Sequence, residues 1–156
     1  MKKIIILLCG WIMLLSGCAK ENLVDDGGDL PSVSLTEYEK EVVALVNKER
    51  LAAGLNALQI DPSLMASCDV RAKEIVFKFS HTRPDGSSCF TVITTKFASA
   101  GENIAKGYAS PKNVMKGWMN SQGHKENIMN GEFTHIGVGC HRDNGTFYWA
   151  QLFIEK

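Results

Sequence analysis

The sequence has no excess of charge: 17 lysines and arginines stand against 17 aspartates and glutamates in 156 residues. Nothing in that balance steers the chain toward nucleic acid or an anionic surface. Its longest apolar run, close to the N-terminus, is about a dozen residues and too short for an ordinary membrane-spanning helix. The zinc-protease pattern HExxH is missing, because His124 is followed by Lys125 and Glu126 with no second histidine four positions on. There is no GxSxG elbow of a serine hydrolase and no glycine-rich phosphate loop. The cysteines lack the CxxC spacing of a structural zinc site. Internal repeats are absent too. These gaps weaken a conventional hydrolase reading, and the length suits one domain of ordinary size.

What is present begins with MKK, then IIILLCGWIMLLSGC, a short basic segment followed by an apolar run and small residues. This is the layout of a secretory signal. Leu15-Ser16-Gly17-Cys18 resembles the lipobox of bacterial lipoproteins, which implies cleavage before Cys18 and lipidation of its thiol; a plain secretory signal that happens to end near a cysteine is the other reading. Residues 1–17 are then the signal peptide, 18–33 a flexible polar tether, and 34–156 the folded domain. Losing the signal removes Lys2 and Lys3 and no acid, so 15 basic face 17 acidic residues. The expected location is extracytoplasmic, anchored to a bacterial membrane through two acyl chains on Cys18. Cys68, Cys89 and Cys140 remain in the domain, an odd number that allows one disulfide and a free thiol or three buried thiols.

Helical periodicity starts after Ser34. Thr36 and Glu39 form a candidate capping box, Val42, Val43, Val46, Arg50 and Leu51 share helical spacing, and Gly54 supplies a C-cap, predicting a helix over 36–53. Asp61-Pro62 predicts the start of a second helix that runs to about Lys78, with Leu64, Met65, Cys68, Ala72, Ile75 and Val76 as its apolar stripe. Arg83-Pro84-Asp85-Gly86 reads as a type I turn that holds His81 between the helix end and a tight loop. Ser110-Pro111 opens a third helix with Val114, Met115, Trp118 and Met119 on one face, extending to near Gly123. A short helical turn follows it.

THIGVGC and TFYWAQLFI are strand-like runs joined through Asn144-Gly145, a strong hairpin signal. Both alternating sets of the second run are apolar, so helices must cover both faces of that strand. Gly137 and Gly139 line one face of the first run, where either a ligand or a closely packed helix would fit.

Three polar residues stand in suggestive settings: His81 in SHTRPDG, Glu102 in AGENIA and His124 in SQGHKENI. Two imidazoles and a carboxylate suit a divalent metal such as zinc. They also suit an acid/base site in which the carboxylate orients an imidazole. From the residues alone, a structural hydrogen-bonding role is the favoured reading of either histidine, and a pairing of Cys89 with a histidine has no local support.

Taken in order, VNKERLAAGLNALQIDPSLMASCDVRAKEI, SHTRPDG, AGENIA, GWMNSQGHKENIMN, FTHIGVGC and YWAQLF resemble the CAP superfamily, which holds the cysteine-rich secretory proteins, insect venom antigens and plant pathogenesis-related proteins. The likeness runs from about Ser34 to the C-terminus. It implies an α+β fold, a three-layer α/β/α sandwich with a mainly antiparallel sheet covered by helices on both faces. It also implies a cavity lined by two histidines and two glutamates able to hold a metal. His81, Glu102 and His124 match three of these; Ser121 stands where the second glutamate is expected, three residues after Trp118. The family's biochemistry is varied, so fold does not fix function. The expectation is a surface-anchored binding module for an extracellular lipid, wall, peptide or protein ligand; a metal-assisted hydrolase using His81, Glu102 and His124 is the alternative, and a cluster that merely braces the core is a third.

Overall fold

The computed structural model describes residues 35–156. The signal, Cys18 and the tether lie outside the described residues.

Helix α1 spans Leu35–Ala52, and Gly54 closes it at φ 76°, a left-handed value that suits glycine. The candidate capping box does not form. Glu39 instead turns inward, where Oε1 accepts a 3.0 Å hydrogen bond from the backbone N–H of Cys140 on strand β3, His135–Asp143. The reason lies in the sheet. Strand β1 is only Gln59–Ile60 and pairs parallel with β3 at His135 and Ile136, leaving the rest of that β3 edge without a strand partner. Glu39 satisfies the Cys140 N–H, and Met65 Sδ stands 3.2 Å from the Val138 N–H.

Helix α2, Pro62–Phe77, starts as expected: Asp61 Oδ1 accepts from the N–H groups of Ser63 at 2.8 Å and Leu64 at 3.0 Å. Leu64, Cys68, Ala72 and Ile75 are buried. Beneath the helix, a Cβ built on Gly137 or Gly139 would lie 2.4 Å from the backbone of Leu64 or Cys68. Close helix packing, not a ligand, therefore accounts for the two strand glycines.

Strand β4, Thr146–Glu155, forms the predicted hairpin with β3 through Asn144 at φ 46° and Gly145 at φ 80°. Its other neighbour is β2, Ser99–Lys106, which pairs antiparallel over eight positions and is unexpected from the sequence. The order β1-β3-β4-β2 makes β2 an edge strand.

On the face opposite α2, α1 packs with α3, Pro111–Met119, and α4, Gln122–Ile128. Val42, Val46, Trp118, Ile128, Val138, Trp149 and Phe153 form this larger core; Leu64, Cys68, Val92, Leu152 and Ile154 form the smaller one under α2. The third helix ends at Met119, earlier than its periodicity suggests. Asn120 stays helical, but Ser121 is extended at φ −105°, ψ 121°, and a separate helix begins after it.

Arg50 fixes the connection from α4 to β3. Its guanidinium is fully buried and donates to the carbonyls of Asn56, Ile128, Asn130 and Phe133 at 2.7 to 3.3 Å. A residue in the predicted apolar stripe thus serves as a backbone clamp. Cys68, Cys89 and Cys140 are all buried free thiols.

Candidate functional site

The site lies along the open edge of β2. Glu102 points to the α2 side of the sheet with its side chain only 1% exposed. There Arg71, six residues before the end of α2, donates Nε to Glu102 Oε1 at 2.7 Å and Nη2 to Oε2 at 3.5 Å. Arg71 also binds Glu74 Oε2 at 2.6 Å and the Ser80 carbonyl at 2.8 Å, while Arg83 grips Glu74 from the following loop. The loop bearing His81 is tied to the helix end by these cations. Gly86 N–H bonded to the Arg83 carbonyl at 3.0 Å closes the predicted turn.

His81 Nδ1 lies 2.7 Å from Glu102 Oε2. Burial by itself would raise the Glu102 carboxyl, but the hydrogen bonds from His81 and Arg71, and their charges, outweigh it and hold the group below its ordinary range. An ionised carboxylate can only accept, so His81 Nδ1 carries the hydrogen and Nε2 is left for an incoming group. The His81 side chain is 58% exposed. It opens on a cavity of about 400 Å³ lined also by Ser88, Cys89, Phe90, Ala100, Gly101, Glu102 and Asn127.

Of the three residues singled out in the sequence, the structure joins His81 and Glu102 directly. His124 sits in the first turn of α4, half-buried and outside that lining. Burial and then the nearby charge of His81 push its pKa down, so its ring is neutral at neutral pH. Its backbone carbonyl accepts from Asn103 Nδ2 at 3.0 Å. Asn127, one turn later on α4, donates Nδ2 to the Glu102 carbonyl at 3.1 Å and to Asn103 Oδ1 at 2.9 Å. These amides cap the free edge of β2 and set the α4 wall of the cleft. Ser121 takes the N-cap position of α4 without a side-chain capping bond.

Arg71, Cys89 and Asn127 were not singled out by sequence reasoning as a group. The basic residue in SCDVRAKEI at the helix position facing the histidine loop is the only local sign of the first.

Metal ligation can be judged from the donors present. His81, Cys89 and Glu102 each place one donor atom within 4.8 Å of the others, a set whose atom types suit zinc. Their surroundings oppose it. Both Glu102 oxygens are engaged by Arg71 and His81, the Arg71 cation faces the same carboxylate, and the Cys89 thiol is pushed up to about 11 by burial, then by the charge and hydrogen bond of Glu102. The residues as arranged do not fit a tightly held divalent ion.

Comparison with known proteins follows the geometry. The family model described as "Cysteine-rich secretory protein family", CAP, matches residues 43–153. The Bacillus subtilis (strain 168) protein YkwD, uncharacterized, is 44% identical over 128 residues, covering 79% of this chain and 49% of that protein. A crystal structure of an extracellular SCP-domain protein from Bacillus anthracis superposes with a TM-score of 0.71 at 28% identity, over 78% of this chain and 41% of the other. An outer surface protein of Borrelia burgdorferi superposes with a TM-score of 0.73 at 23% identity, over 80% of this chain and 96% of the other, a likeness of fold. The chain thus spans about half of the length of the curated relative YkwD. Among the described residues no helix is long and apolar enough to cross a membrane.

Proposed function

Because the chain belongs to the cysteine-rich secretory protein, or CAP, family, a fold that hosts unrelated activities, its role has to be read from the cleft itself, and we propose that it is an extracytoplasmic binding module, held at a membrane by lipidated Cys18. The cleft beside His81 takes a polar ligand, a cell-wall fragment or a peptide. The observation that carries this reading is the chain Arg71–Glu102–His81, with successive contacts of 2.7 Å and 2.7 Å. It fixes one imidazole in a defined orientation at the mouth of a cavity and leaves its Nε2 for the ligand. The buried guanidinium makes Glu102 a poor proton acceptor, so the carboxylate serves to orient His81, and the imidazole is the group of this set that meets the ligand. Asn127 and Ser88 add amide and hydroxyl groups on the walls, and Phe90 an apolar one.

The test is co-sedimentation of the purified full chain with isolated peptidoglycan, and a parallel titration with its soluble peptide fragments. His81→Ala should lower retention at least about tenfold, the loss of one ligand hydrogen bond made to a positioned group. Equal retention of His81→Ala and the parent protein on every probe overturns the cleft as the binding site.

A second reading, metal-assisted hydrolysis, requires a divalent ion to displace the Arg71 and His81 contacts of Glu102 within the donor cluster of His81, Cys89 and Glu102. It requires near-stoichiometric zinc in the protein purified at neutral pH or taken up on titration. Elemental analysis showing neither removes it.

A further inference from the structure

Outside the cleft, the C-terminal end of α2 carries an apolar pair that the fold leaves uncovered. Phe77 is 86% exposed, the most exposed of the large apolar side chains among the described residues, and Phe79 is 44% exposed two residues on. Lys106, at the end of β2, holds its ammonium 5.1 Å from the centre of the Phe79 ring. Lys73, one turn before Phe77, and Lys78, between the two rings, are exposed. Among the described residues no carboxylate lies within salt-bridge distance of these three lysines, and the nearest acid in sequence, Glu74, is consumed by Arg71 and Arg83. A chain with no net charge therefore gathers three unpaired cations around two exposed phenyl rings.

We infer that this patch is a docking surface for an anionic phospholipid bilayer, a second contact that seats the domain on the membrane to which Cys18 anchors it. The inference rests in part on the anchoring just proposed. Two features of the patch select a bilayer. Lysine side chains bring ammonium groups to the headgroup level, where each contributes to attraction by anionic lipid. Exposed aromatic rings insert into the headgroup and acyl boundary, which a soluble polyanion does not offer. Sixteen residues, 18–33, can span at most roughly 50 Å at about 3.3 Å per residue, which sets the upper limit of the tether's reach. A weak patch on a tethered domain acts at high effective concentration, so it need not bind vesicles strongly alone. Seated this way, the domain is oriented by α2, the helix whose end also sets the His81 loop.

The test places a reporter in the patch. Phe77→Trp is made in the mature lipidated protein purified from membranes, from which Trp11 departs with the signal and in which Trp118 and Trp149 are 1% and 0% exposed. The protein is mixed with excess vesicles of phosphatidylcholine alone, or of phosphatidylcholine with phosphatidylglycerol, each containing brominated lipid. Flotation reports anchoring independently of fluorescence. The expected result is a blue shift and quenching of the new tryptophan in the anionic vesicles only. Neutralising Lys73, Lys78 or Lys106 to Gln should lower the docking equilibrium constant, read from the quenched fraction at fixed lipid, about fivefold per lysine. Leu51→Trp, at a position 62% exposed on the opposite side of the sheet, should not be quenched. Equal quenching at 51 and 77, no dependence on phosphatidylglycerol, or the same spectral shift with soluble polyphosphate in place of vesicles overturns the inference. Loss of flotation with quenching at 77 retained removes the Cys18 anchor and leaves the patch.

Discussion

Arg71 and Glu102 form a buried ion pair, Nε to Oε1 2.7 Å, with side-chain exposures of 0% and 1%. The pair joins α2 to the edge strand β2 and sets the position of His81. Burying both charges is costly, and the arrangement holds because Arg71 also satisfies Glu74 and the Ser80 carbonyl. What the pair contributes is placement more than stability.

Breaking it from one side should be severe. Arg71→Met leaves a buried carboxylate without its cation, and a loss of about 3–5 kcal/mol in urea unfolding is expected. The double variant Arg71→Met/Glu102→Met should recover much of that loss. A double variant as unstable as the single one would show that the pair itself contributes net stability.

Glu39 makes stability depend on pH. Burial lifts its carboxyl to about 7; the Cys140 N–H pulls it down, and the charge of Asp69 raises it further. The folded value exceeds the ordinary 4.5, so the contribution is fully present below pH 4.5 and is lost as pH rises through about 7. Glu39→Gln keeps an acceptor for Cys140 and removes the titration. Thermal melts should show the variant more stable than the parent at pH 8, by up to about 3 kcal/mol, and equal to it near pH 4.

His124 has the opposite slope. Its folded pKa lies below the ordinary 6.5, so the unfolded chain takes up the proton first and stability falls as pH drops through that value. His124→Asn should flatten the acid side of the stability curve between neutrality and pH 5, read by urea midpoints along that range.

Arg50 is a structural prediction of a different kind. Replacing it by Met strands the carbonyls of Ile128, Asn130 and Phe133 and should cost at least about 3 kcal/mol. Hydrogen exchange should rise first in residues 128–134. Exchange that rises uniformly would mean that the clamp is not local.

Gly139 cannot accept a methyl group without moving α2, because the nearest atoms are the Cys68 carbonyl carbon and oxygen at 2.4 Å. Gly139→Ala should destabilise by about 1–3 kcal/mol or more through overpacking. A melt unchanged from the parent would show that the helix shifts freely.

The helices α1 and α2 and the β3–β4 hairpin were legible in the sequence because their signals are local: an Asp-Pro cap, a Gly after the last turn, an Asn-Gly turn. The strand β2 was not. Its residues, SAGENIAK, include glycine, glutamate and asparagine, all poor strand formers, and only eight-position pairing with β4 makes it extended. The break between α3 and α4 was expected but placed a few residues late, near Gly123, whereas α3 ends at Met119 and the backbone turns at Ser121.

The same division runs through the site. The resemblance to a known family grouped His81, Glu102 and His124, while spacing by itself gave no reason for them to meet; the turn after His81 was readable from Pro84 and Gly86. Which of them meet was decided by tertiary structure: Glu102 is drawn to the α2 face by a buried arginine, and alternation along β2 sends its neighbour Asn103 to the α4 face. The protonation of the site was likewise out of reach of sequence, because a carboxylate's pKa depends on burial and on the charges brought beside it from distant segments. Local hydrogen bonding writes helices and turns into the order of residues; the charge and geometry of a cleft exist only after those elements pack.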